Sequence, residues 1–147
     1  MDAPKIRIVL VSHGEQSKGM LNTVQMLLGE QQNIAAYSLY PEQPVTALTE
    51  KLQAEIEQYG AENIIFMTEL KQGSPFNAVV SLTRNYDLYH ITGINLAALM
   101  TAIMERDDEG VTAEKLCETI MEDSKNTMLD VRKLLAESGG DDEEEDL

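Results

Sequence analysis

A chain of 147 residues, 43% of them hydrophobic, amounts to one domain and can bury a substantial core. Its formal net charge of −15 opposes nucleic-acid binding, because phosphate backbones need Lys and Arg to neutralise them. No apolar run approaches the ~20 residues of a membrane span, the first ten residues lack a secretion signal, and Cys117 has no partner for an internal disulfide, so a reduced, cytoplasmic protein is expected.

Residues 6–11 form a nearly continuous apolar run, the pattern of a parallel strand covered on both faces. The run stops at Ser12-His13-Gly14, which delivers a histidine to a strand's carboxyl end, where open α/β sheets keep their chemistry. Met20, Leu21, Val24, Leu27 and Leu28 then recur at helical spacing, with Gly29 as the stop. Residues 33–40 read as a second, weaker strand closed by the turn-like PEQP. Val45, Leu48, Leu52, Ile56 and Tyr59 make a helical stripe that Gly60 ends.

The third strand, NIIFMTE at 63–69, runs into the loop LKQG. Ser74-Pro75 then opens a helix with a capping hydroxyl and a first-turn proline. A fourth strand is expected near LYHITGI, 88–94, with Asn95 capping the apolar helix that follows. Leu116, Ile120, Met128, Val131 and Leu135 predict one more long helix or two shorter ones. This alternation implies a small doubly wound, mainly parallel sheet of about four strands, order 2-1-3-4, flanked by helices. The domain is expected over 1–138, followed by an acidic, disordered tail at 139–147 whose DDEEEDL carries six of the acids.

If the first and third strands are neighbours, His13 and Glu69 emerge side by side at the crevice where the strand order reverses. Ser74 and the free N–H groups of the helix beginning near Pro75 share that edge, and a helix N-terminus is a ready anion site. A nucleophilic nitrogen, a carboxylate, a hydroxyl and helix amides around one spot suit a phosphoryl group carried on histidine. No G-x-x-x-x-G-K-[ST] or G-x-G-x-x-G segment points to a nucleotide, and two distant histidines make a poor metal set, so no cofactor is expected.

Four segments, VSHG, MLLGEQQNI, GSPFNA and GINLAALM, follow the element order. Together they resemble the enzyme IIA domain of the mannose family in the bacterial phosphoenolpyruvate-dependent sugar phosphotransferase system, over roughly residues 5–135. The resemblance implies that His13 accepts phosphate from phospho-HPr and passes it to a IIB component of a membrane sugar permease. It implies that Glu69, where the family usually has aspartate, orients the imidazole, and that Ser74, with Gly14 of the VSHG turn, lies by the phosphoryl oxygens. It also implies a homodimer that associates with permease components. The chain offers only glycines and acids near its end, so no terminal strand is expected to be exchanged; contact through the sheet edge or residues 95–135 is expected instead.

His90, inside the fourth strand, reads as a packing or hydrogen-bonding residue, and Lys18 and Lys71 as unassigned surface cations. Phe76 reads as core packing before docking. Two other readings remain: a carrier of the same shape serving a dihydroxyacetone kinase or a transcription regulator, and a non-catalytic α/β interaction module.

Overall fold

The computed structural model describes residues 3–139. Four strands, β1 (Arg7–His13), β2 (Ile34–Leu39), β3 (Ile64–Thr68) and β4 (Tyr89–Thr92), form an all-parallel sheet in the order β2-β1-β3-β4. The crossovers are the helices α1 (Gln16–Leu28), α2 (Val45–Tyr59) and α3 (Ser74–Leu82); α4 (Leu96–Glu105), α5 (Ala113–Ser124) and α6 (Val131–Glu137) follow β4. The C-terminal helical region is therefore two short helices, not one. From residue 140 on, the acidic segment lies outside the described residues.

Strand side chains alternate between faces, so the unbroken apolar run of β1 feeds two cores at once. Ile8 and Leu10 pack with Ile65, Met67, Leu99, Leu116 and Ile120 beneath α1, α4 and α5. Val9 and Val11 pack with Phe66, Leu48, Leu52, Ile56 and Val79 beneath α2 and α3. The same alternation sets the site. Ser12 continues the Ile8–Leu10 face and turns to α1, where its Oγ accepts the Ser17 N–H at 2.7 Å. His13 continues the Val9–Val11 face and turns to α3.

Several stripe residues expected in the core are solvent-facing. Leu27 is 58% exposed and Val45 37%, each near a helix end where the curved surface leaves the sheet behind. Met128, Val131 and Leu135 are exposed too, because α6 and the turn before it extend past the packed layers. Gly29 and Gly60, at φ +89° and +91°, end α1 and α2 as expected. Asn95 caps α4 by accepting the Ala98 N–H at 2.8 Å. No helix among the described residues is long and apolar enough to cross a membrane.

At the sheet's amino end, buried Arg106 ties α4 to the strands. Its guanidinium donates to the carbonyls of Ile6 (3.2 Å), Asn33 (2.9 Å) and Gln32 (2.6 Å). Arg7 pairs with Glu55 of α2 at 2.5 and 3.0 Å and lies over the Tyr59 ring. These ties hold the end of the sheet opposite His13.

Candidate active site

Register brings the two chemical groups together. Val11 of β1 pairs with Thr68 of β3, so His13 ends one strand as Glu69 leaves the other. Glu69 Oε1 accepts the main-chain N–H of His13 with N and O 2.5 Å apart, and lies 2.5 Å from ring Nδ1. A carboxylate only accepts, so Nδ1 carries the proton, and in the neutral ring that tautomer leaves the lone pair on Nε2. Glu69 is the more enclosed partner, its side chain 15% exposed against 46% for His13. The carboxylate is thus held in the wall while the imidazole faces solvent.

The turn between β3 and α3 forms the floor. The Gly73 N–H donates to the Leu70 carbonyl at 3.0 Å, and Gln72 takes φ +68°, a left-handed conformation uncommon for a residue with a side chain. Asn77 Nδ2 supports this turn by donating to the Gln72 carbonyl at 3.2 Å. A Cβ on Gly73 would stand 3.0 Å from His13 Cε1 and 3.2 Å from the Leu70 carbonyl oxygen. Position 73 is glycine because the imidazole lies directly on it.

Gly73, not Ser74, occupies the cap position of α3, and no side chain caps the helix. Ser74 is the first helical residue, and Pro75 follows it within the first turn as expected. A helix's first amides have no intrahelical acceptor, and Pro75 contributes none, so Ser74 and Phe76 supply the free donors. Their end of α3 abuts the imidazole through Gly73, and the helix dipole adds positive potential there.

Gly14 takes φ +53°, which lets the chain turn sharply out of β1. Its N–H is already donated to the Leu39 carbonyl at 2.9 Å, so this amide is engaged within the fold and the turn is what Gly14 brings to the site.

Next to Glu69 along the chain, buried Thr68 anchors a half-buried polar cluster. Thr68 Oγ1 lies 2.8 Å from both His90 Nε2 and Thr92 Oγ1, and Phe76 packs against His90 in a tilted arrangement, ring centroids 5.2 Å apart and planes at 42°. Burial lowers the His90 pKa to about 4, so this imidazole is neutral at ordinary pH. His90 and Phe76 thus pack and hydrogen-bond, as their sequence positions suggest. Lys71 is exposed on the turn, while Lys18 stands with Tyr40 across β2.

The geometry places His13 and Glu69 in direct contact and sets the start of α3 beside them. Sequence reasoning missed Gly73 and Gln72. The available signal was LKQG itself: a glycine just before a helix, after a strand-end carboxylate, marks a close approach.

Comparison with known proteins identifies the family. The EIIA-man family model, described as the fructose IIA component of the phosphotransferase system, matches residues 7–121. The mannose-specific EIIAB component of Escherichia coli (strain K12) is 33% identical over 106 residues, covering 71% of this chain and 33% of that protein. The chain therefore spans about a third of the length of that relative. A phosphotransferase-system EIIA crystal structure from Streptococcus agalactiae superposes with TM-score 0.78 at 25% identity, covering 87% of this chain and 98% of its own. The IIA protein associated with the fucose utilization operon of Streptococcus pneumoniae also gives TM-score 0.78 at 25% identity, covering 92% and 99%.

Proposed function

The chain belongs to the EIIA-man family of phosphotransferase-system IIA components, and we propose on that footing that it is a phosphoryl carrier for sugar uptake, with His13 as acceptor. The donor is phospho-HPr and the recipient a IIB component of a membrane sugar permease. The single observation that carries the assignment is the Glu69 Oε1 contact with His13 Nδ1. It fixes the tautomer that leaves Nε2 as the nucleophile.

In the proposed step, the Nε2 lone pair attacks phosphorus and forms a P–N bond. The bond from phosphorus to the donor breaks, and its electron pair leaves with the donor. The Nδ1 proton stays on the ring, so the product imidazole is cationic, and the Glu69 carboxylate offsets that charge at 2.5 Å. Ser74 and the free amides at the start of α3 face the equatorial oxygens, where negative charge accumulates. Transfer to IIB runs the same step in reverse.

We further propose that residues 1–138 are the carrier domain and 139–147 a solvated acidic tail, that the protein acts in the cytoplasm, and that it is a homodimer. The dimer contact would use the sheet edge or the helices between 95 and 135. Deleting residues 139–147 should leave the subunit count, measured by light scattering, unchanged. The function itself is tested by incubation with phosphoenolpyruvate, enzyme I and HPr. Label should enter the wild type and be absent from His13→Ala; equal labelling of that variant overturns the assignment.

A further inference from the structure

One cavity, about 440 Å³ in volume, opens at the free edge of β2, away from His13. Its chemistry is anomalous for this chain. The sequence holds 26 acidic and 11 basic residues, yet two lysines, Lys18 of α1 and Lys51 of α2, line the cavity, and no acidic residue lines it among the described residues. Neither lysine is in an ion pair among the described residues. Lys18 Nζ instead lies 3.4 Å from the Tyr40 hydroxyl and 5.4 Å from the centre of its ring, and that hydroxyl donates to Glu15. An ammonium held against an aromatic face, with the neighbouring carboxylate already engaged, keeps its donors for another acceptor.

The wall between the lysines is polar and unsatisfied. Asn33 and Leu39 turn their carbonyls toward β1, accepting from Ile8 and Gly14. In a parallel ladder the intervening residues therefore point their main-chain groups the other way, so Ala36 and Ser38 present theirs to the open edge. Ser38 Oγ, which exposes less than 1 Å² to solvent, has no hydrogen-bond partner. Gln43 adds a side-chain amide at the rim. Cavities of this size admit small molecules rather than a protein surface.

We propose that this cavity is a second binding site, for a small phosphate monoester bearing hydroxyl groups. Lys18 and Lys51 take the phosphate dianion, matching its charge. Gln43 and the main-chain groups of Ala36 and Ser38 at the open β2 edge hydrogen-bond the hydroxylated body. The site shares no residue with the His13–Glu69 pair or the α3 start, so it stands or falls apart from the phosphoryl-carrier reading.

The test is a ¹⁵N NMR titration of the full chain with glucose 6-phosphate, glucose and inorganic phosphate as separate probes, each to about 10 mM, which detects millimolar affinity. Glucose 6-phosphate should give saturable shifts at the amides of Ser38, Tyr40, Gln43 and Ala47, more tightly than inorganic phosphate, with glucose inert. The Lys18→Ala/Lys51→Ala double variant should weaken it about tenfold or more, the loss expected for charged hydrogen bonds, and His13→Ala should leave it unchanged. The proposal is overturned by an unsaturated titration, by an unchanged affinity in the double variant, or by inorganic phosphate binding as tightly as the ester. It is equally overturned if the shifts centre on His13 and Ser74, or if this edge responds to a partner protein and not to the ester.

Discussion

One oxygen of Glu69, Oε1, takes both the main-chain N–H and the ring Nδ1 of His13 at 2.5 Å. The backbone bond fixes where the carboxylate stands, and the ring bond fixes which nitrogen is free. Glu69→Gln keeps the shape but removes the charge that offsets the cationic ring in the proposed step. Its transfer rate from phospho-HPr should fall by about 10²-fold, the scale of a positioned acid or base, while its thermal midpoint stays near that of the wild type. An unchanged rate makes the carboxylate purely structural.

Gly73 supports the same ring from below. Its φ of −73° suits any residue, so Gly73→Ala carries no dihedral penalty. The new methyl would nevertheless stand 3.0 Å from His13 Cε1 and displace the imidazole. A shift of this kind should slow transfer by roughly tenfold to a hundredfold with little change in urea midpoint. Rapid-quench transfer assays and equilibrium unfolding, run on the same preparation, separate the two effects.

His90 gives a pH signature. Burial holds its folded pKa at about 4, below the ordinary 6.5, so the unfolded chain binds the extra proton first. Stability from the neutral ring is therefore present above pH 6.5 and is lost as pH falls from 6.5 toward 4. His90→Gln cannot titrate. Urea midpoints measured across that window should fall more steeply for the wild type than for the variant; parallel curves contradict the account.

Arg106 is a purely structural test. Methionine fills similar space but leaves the carbonyls of Ile6, Gln32 and Asn33 without this donor. Arg106→Met should lose about 2–4 kcal/mol of stability, as for breaking a buried hydrogen-bonded charge. Chemical denaturation measures this directly, and a loss below about 1 kcal/mol would show that water replaces the guanidinium.

The parts of the fold that were legible in sequence are those written as periodicity and punctuation. Ile8–Val11 and Ile64–Met67 are apolar on both faces because both faces are covered, and that alone implies a parallel sheet. Gly29, Gly60 and Asn95 mark helix ends through chemistry local to each residue. His13 and Glu69 were legible because a strand's last residue announces itself and parallel neighbours end on one side. What escaped depends on three-dimensional proximity. Val45 and Leu27 repeat at helical spacing yet lie near helix ends where they are only partly covered. Gly73 looks like an ordinary loop glycine until an imidazole from another strand lies on it. Ser74 resembles a cap, but the chain enters α3 one residue earlier. The amide of Gly14 looks available until β2, twenty-five residues on, claims it through Leu39.

The central claim is that Glu69 holds His13 Nδ1 and leaves Nε2 to carry the phosphoryl group. The most direct measurement is ³¹P–¹⁵N NMR on protein labelled at histidine ring nitrogens and phosphorylated with phosphoenolpyruvate, enzyme I and HPr. The account predicts a single phosphohistidine with phosphorus bonded to Nε2 of His13, acid-labile and absent from His13→Ala. Phosphorus on Nδ1, or on any residue that survives the His13→Ala substitution, would contradict it.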